Sequence, residues 1–240
     1  MTSTRLPGKV FKEINHIPLL QYHLDRLLQT DLEIIIATTT NPTDDPIVEF
    51  ALKNNIPCHR GSENNVLSRY YEAAEKNKLD VIIRVTSDCP LIDPHLIRSS
   101  IEDYDRIDNP DLYMSNTIER TYARGFDFEI FSFSSLKDAF LHAKDESDKE
   151  HVTPYIWKNK SGKIDFKSIY QNVDHSNLRL TVDTFEDYEL IKILIEEYGI
   201  YELSYYGKQI FDIPYFEIES LLLDHPELVK INAHIGQKEV

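Results

Sequence analysis

The sequence predicts an α/β fold: one continuous domain with a mixed, mostly parallel sheet flanked by helices. Three observations predict it. In the first half, stretches with apolar residues every three or four positions alternate with short unbroken apolar runs. The two clearest runs, LEIIIATT (32–39) and DVIIRVTSD (80–88), have the composition of strands buried on both faces. No repeat and no Gly-, Pro- or Ser-rich linker interrupts the 240 residues, so a second domain is not expected.

IPLLQYHLDRLLQT (17–30) sets Leu20, Leu24, Leu27 and Leu28 on one helical face, with Pro18 in the first turn. DDPIVEFALKNN (44–55) is a helix, IPCHR (56–60) a short strand and NNVLSRYYEAAEKN (64–77) a helix. DPHLIRSSIEDYD (93–105) is another, with Asp93 as N-cap before Pro94. The pattern then changes. FDFEIFSF (126–133) alternates like a strand with one more polar face; SLKDAFLHA (135–143) and EHVTPYIWKN (150–159) are helical. KIDFKSIYQN (163–172) and NLRLTVD (177–183) read as strands. TFEDYELIKILIEEYG (184–199) is a helix capped by Thr184, with Asp187 three residues on and Gly199 at its end. PYFEIESLLLDHPELVKIN (214–232) gives one or two short helices.

Composition excludes several classes. A formal net charge of −15 disfavours binding to a nucleic acid backbone, so any anion must be met by a few focused cations. The two cysteines, Cys58 and Cys89, have no metal-ligand spacing and lie in apolar runs, as buried thiols do. No run has the length of a membrane span and no charged-then-apolar leader is seen; the expectation is a cytoplasmic enzyme or binding protein. No GxSxG and no Cys–His arrangement points to a covalent nucleophile.

Three segments carry candidate chemistry. MTSTRLPGKV opens the chain with Arg5 and Lys9 around a stiff Pro7 and a permissive Gly8, next to Ser3 and Thr4. Taken alone it reads as a solvated basic segment; as a loop it suits an anion. Because ligands of open parallel sheets bind at strand carboxyl ends, such a loop should follow a strand, and none precedes it. Asp88 ends a buried strand in VTSDCPLID (85–93), and Asp183 ends another in LTVDTFEDYELI (180–191). Each is a turn residue or a ligand for an oxygen-seeking metal such as magnesium. Glu186 and Asp187 read as first-turn acids favoured by the helix dipole. Arg60, Arg124, Asp127, Glu150 and His151 could each be a structural ion pair or a cap.

Taken together, STRLPGKV, NPTDDPI, RGSENNVLSRYY, RVTSDCPLIDP, the TYxRGxDxE pattern at 121–129, EHVTPYI and HPELVKINAH resemble the cytidylyltransferases of the spore-coat polysaccharide biosynthesis type. More distantly, they resemble the 3-deoxy-manno-octulosonate and acylneuraminate cytidylyltransferases. The resemblance runs over essentially the whole chain. It implies a single Rossmann-like, glycosyltransferase-A-like nucleotidyltransferase domain over 1–240. A nucleotide-binding half spans about 1–115, and an acceptor-binding and dimerising half about 116–240. It implies transfer of CMP from CTP to a sugar or sugar-like acceptor with release of pyrophosphate, for surface polysaccharide precursors. Magnesium would be held by Asp88 and Asp183. Arg5 and Lys9 would hold the triphosphate, and Ser3, Thr4 and Gly8 would line the same loop. Arg60 and Thr86 would lie near the base, where the acid-sugar relatives often carry glutamine at the Thr86 position. Arg124, Asp127, Glu150 and His151 would face the acceptor. A homodimer, no nucleic acid and no membrane are expected. The resemblance also places Met1 at an internal methionine, so that a first strand of the sheet would precede it. Other readings are a nucleotidyltransferase for another nucleotide and a non-catalytic nucleotide-binding protein of the same fold.

Overall fold

The structure, a computed structural model, describes residues 5–200 and 213–236. After a 3-10 turn at Lys9–Phe11, strands β1 (Glu13–Ile14) and β2 (Ile17–Pro18) form a hairpin. Its two central residues, Asn15 and His16, both have positive φ, the conformation two-residue hairpins favour. Helix α1 (Leu19–Leu28) follows directly, with Pro18 at its N-cap in extended geometry. Next come β3 (Ile36–Thr39), α2 (Asp45–Lys53), β4 (Cys58–Gly61), α3 (Val66–Asn77) and β5 (Val81–Arg84). Helix α4 (Pro94–Ile107) starts at Asp93, whose side chain accepts from the Leu96 amide as the sequence predicts.

The second half supplies β6 (Leu112–Ser115), β7 (Glu129–Ser132), α5 (Phe133–His142), α6 (Glu146–His151), α7 (Pro154–Trp157) and β8 (Asp165–Ser168). Helices α8 (Phe185–Glu196), α9 (Tyr215–Asp224) and α10 (Pro226–Asn232) complete the described chain. Several elements differ from expectation, among them the β1–β2 hairpin, which takes Ile17 and Pro18 out of the expected helix. Strand β6 is absent from the sequence reading, because LYMS is short and buried throughout and so shows no alternation. The helix expected over 150–159 is two, since Val152 leaves helical geometry at φ 73° and ψ −54°. NLRLTVD makes one parallel bridge, Arg124 with Arg179, rather than a ladder. Its amides turn to two neighbours: Leu180 donates to the Arg124 carbonyl and Val182 to the Asp88 carbonyl.

The sheet is mixed. Strands β3 and β4 pair in parallel; in the order β5–β7–β6–β8, β7 runs antiparallel to both neighbours and β8 parallel to β6. Among the described residues, β3 and β5 each keep one unpaired edge. Both line a single apolar cavity of about 600 Å³ with Leu24 and Ile101, and no described strand lies between them. The main core packs Ile14, Leu91, Met114, Phe126, Leu180 and Ile191 together. A second core joins Tyr113 and Phe131 to Leu136, Val152 and Ile156.

One close approach fixes the loop ahead of β7. Gly125 has φ +112°, and a Cβ there would lie 2.6 Å from the Leu180 carbonyl carbon and 2.8 Å from the Thr181 nitrogen. Backbone atoms cannot swing aside as a side chain can. Gly125→Ala is expected to cost at least about 2 kcal/mol, from the left-handed strain and the overlap together. An unchanged urea midpoint would contradict this.

Candidate active site

The site forms where the N-terminal turn meets the segments after β5 and before α8. Gly8 takes φ 65°, which lets the Lys9 amide donate back to the Leu6 carbonyl and closes the turn. Lys9 is thereby carried between two aspartates distant in sequence. Its Nζ donates to Asp88 Oδ2 at 2.8 Å and to Asp183 Oδ1 at 2.9 Å. Arg5 meets Asp183 Oδ2 at 3.0 Å. Thr86 donates to the other oxygen of Asp88 at 2.6 Å.

Behind Asp183 stands a bracket that sequence reasoning did not find. Arg179, buried, donates through Nη2 to Asp183 Oδ2 at 2.9 Å. Through Nε and Nη2 it also holds Asp187 at 2.8 and 3.0 Å. Asp187 accepts from the backbone amides of Asp183 and Thr184 and from Asn232 Nδ2 of α10, all at 2.9 Å. Thr184 and Asp187 form the expected capping box, but Asp187 does more than complement the dipole: it fixes Arg179, which fixes Asp183. The signal in the sequence is RLTVDTFED, with Arg179, Asp183 and Asp187 four residues apart.

A second pair lies on the TYxRGxDxE segment. Arg120 grips Asp127 through both amino groups, at 2.6 and 2.9 Å. Arg124 is half-buried, and its side chain has no hydrogen bond or ion pair among the described residues. Burial and the neighbouring Arg120 hold its pKa below the ordinary arginine value.

The other candidates fall elsewhere. Arg60 donates to the carbonyls of Thr39 and Asn41 and pairs with Asp45, so it ties the loop after β3 to α2. Thr86 is committed to orienting Asp88. Glu150 and His151 lie on α6, which packs against α3 and α7, and make no hydrogen bond or ion pair with the carboxylate cluster. Ser3 and Thr4 lie outside the described residues. Cys89 is buried and burial pushes its thiol well up, as expected of an inert thiol; Cys58 is half-buried.

The cluster is held in its charged form. Burial opposes ionisation of Asp88, but Lys9 and Thr86 outweigh it and lower its pKa. For Asp183, burial is outweighed by Lys9, Arg179 and Arg5 in the same direction. Burial likewise opposes the Lys9 charge, and the two aspartates overcome it, raising its pKa. The lowered carboxylates stabilise the fold above their ordinary value of 3.8 and lose that contribution as pH falls through the lower folded values. The raised lysine contributes fully below 10.5 and loses its share as pH rises through a still higher value. The urea midpoint should therefore be insensitive to this cluster from about pH 5 to 9 and fall below about pH 4. Asp183→Asn should flatten that acid limb; an unaltered limb would contradict the assignment.

Asp88 Oδ2 and Asp183 Oδ1 converge on one cation, here the Lys9 ammonium. Among the described residues no group of three or more His, Cys, Asp or Glu side chains converges in this way. Two carboxylate oxygens suit magnesium, which commonly takes one or two carboxylates and completes its shell with phosphate oxygens and water. They do not suit a closed structural site. No described helix is long and apolar enough to cross a membrane.

Comparison with known proteins finds relatives over most of the chain. Residues 1–213 match the family model described as cytidylyltransferase. The chain is 32% identical over 207 residues to the spore coat polysaccharide biosynthesis protein SpsF of Bacillus subtilis, covering 83% of this chain and 84% of that one. It superposes on a cytidylyltransferase from Leptospira borgpetersenii with a TM-score of 0.83 and 31% identity, covering 100% of this chain and 95% of the other. It shares the fold of CMP:2-keto-3-deoxy-manno-octonic acid synthetase complexed with CTP at a TM-score of 0.57 and 18% identity, over 82% of this chain and 95% of that one.

Proposed function

The chain belongs to the cytidylyltransferase family, and from that premise we propose that it transfers CMP from CTP to a sugar or sugar-like acceptor, releasing pyrophosphate, in the making of a surface polysaccharide precursor. The observation that carries this reading is the meeting of Asp88 and Asp183 at one cation, beside the Arg5–Lys9 turn. In the reaction an acceptor oxygen bonds to the α-phosphorus while the bond to the bridging β-oxygen breaks, and pyrophosphate leaves with that electron pair. Such chemistry rests on positioning and charge stabilisation. Lys9 and Arg5 receive the departing phosphates. Asp88, oriented by Thr86, and Asp183, oriented by Arg179, would hold magnesium. Magnesium bound there would neutralise charge developing at the reacting phosphate. Arg124, free beside the Arg120–Asp127 pair, suits an anionic group of the acceptor.

The test is pyrophosphate release with each of the four ribonucleoside triphosphates, magnesium, and a panel of acidic and phosphorylated sugars. The expected result is release with CTP that depends on one acceptor class. Equal release with UTP would remove the cytidine preference. Nucleotide binding with no release for any acceptor would favour a non-catalytic role.

A further inference from the structure

Lys9 occupies the point at which the two aspartates converge, and this has a consequence for the order of binding. Its Nζ sits 2.8 and 2.9 Å from one oxygen of each carboxylate. A magnesium ion on the same two oxygens would lie about 2.0–2.1 Å from each. Ammonium and metal would then overlap, so they exclude one another. Charge opposes joint occupancy too. Asp88, Asp183 and Asp187 face Lys9, Arg5 and Arg179, three carboxylates against three cations. A divalent ion added to this balanced cluster brings two positive charges with nothing to offset them.

The three cations are not equally free to leave. Arg179 is buried and doubly bound to Asp187. Arg5 reaches only the outer oxygen of Asp183 and does not block the shared point. Lys9 alone stands there, on a flexible four-carbon stem following Gly8 at a tight turn. A nucleotide's phosphates offer it an alternative partner of higher negative charge.

We propose that Lys9 is the resident counter-ion of the Asp88–Asp183 pair and must leave it before a divalent metal binds, so that metal enters with or after the nucleotide. The proposal rests on the nucleotidyltransferase reading for its nucleotide step, but its metal step is independent of it. Lys9 therefore has two stations: the carboxylates in the resting protein and the phosphates in the loaded one.

The test measures Mn²⁺ binding to the full chain by calorimetry and by electron paramagnetic resonance, without turnover. Wild type is expected to bind Mn²⁺ alone weakly, and at least about tenfold more tightly with a CTP analogue carrying a non-cleavable α,β linkage. Lys9→Met and Lys9→Gln, checked for folding by circular dichroism, are expected to bind Mn²⁺ alone at least about tenfold more tightly than wild type. Adding Asp88→Asn to either should abolish the gain. Folded variants with wild-type Mn²⁺ affinity would overturn the proposal. If neither variant folds, the Lys9 ammonium resonance of the wild type decides. It should shift when the analogue is added without metal, and an unmoved resonance in the analogue-bound protein overturns the proposal. If the analogue fails to bind while the variants gain Mn²⁺ affinity, the cytidylyltransferase reading falls and the counter-ion stands; the reverse pattern has the opposite meaning.

Discussion

Asp183→Ala is expected to lower turnover by about 10²–10³-fold, roughly 3–4 kcal/mol, on the scale of other lost charge-stabilising groups. CTP affinity should fall far less. Asp183 is an anion and adds nothing attractive to a triphosphate on its own. Its removal releases Arg5 from its only pairing among the described residues, and Lys9 from one of two, leaving both cations for the phosphates. The fold should also persist, because Arg179 keeps its two bonds to Asp187. Steady-state kinetics for kcat and calorimetry with CTP for affinity would separate these effects. A variant retaining full turnover would remove Asp183 from the reacting centre.

The second large effect concerns stability. Arg179→Met should destabilise the protein by about 3–5 kcal/mol, read from urea unfolding. The Asp187 side chain is fully buried, and losing the guanidinium strips two of its hydrogen bonds and its only paired cation among the described residues. Three donors remain, from two backbone amides and Asn232, but none carries a full charge. The exposed pair Arg106–Asp103 is a useful contrast, since truncating it should cost under about 1 kcal/mol. Adding Asp187→Asn to Arg179→Met should restore part of the loss, because it removes the stranded charge. A single-variant cost no larger than that of the surface pair would show that Asp187 is adequately served without its arginine.

Much of the architecture was legible because periodicity reports burial. LEIIIATT and DVIIRVTSD read as strands and became β3 and β5, though beside the cavity most of their residues are half-buried rather than buried, and Asp93 and Thr184 capped the helices they precede. What escaped was decided by tertiary context. LYMS gives no alternation when both of its faces are covered, and no local signal announces the positive φ of Val152. In the site, the meeting of Lys9, Asp88 and Asp183 was legible only through the resemblance, since each taken alone read equally as a surface cation or a turn residue. Arg179 and Arg120 were missed because one arginine in a strand or loop resembles any other until its carboxylate is located. Arg60 shows the converse: a motif position can be engaged in bonding its own loop.

The unpaired edges of β3 and β5 bear on how cooperatively the protein unfolds. Among the described residues no ladder crosses between them, so the β3–β4 pair meets the larger sheet without shared strand hydrogen bonds. Helix α3, which packs on β3 and β4 as well as on α5 and α6, is the principal clasp. Elements linked in that way open as separate units. Amides of Ile36 to Thr39 should exchange with deuterium at a lower opening free energy than those of Ile130 and Phe131, whose strand is paired on both sides.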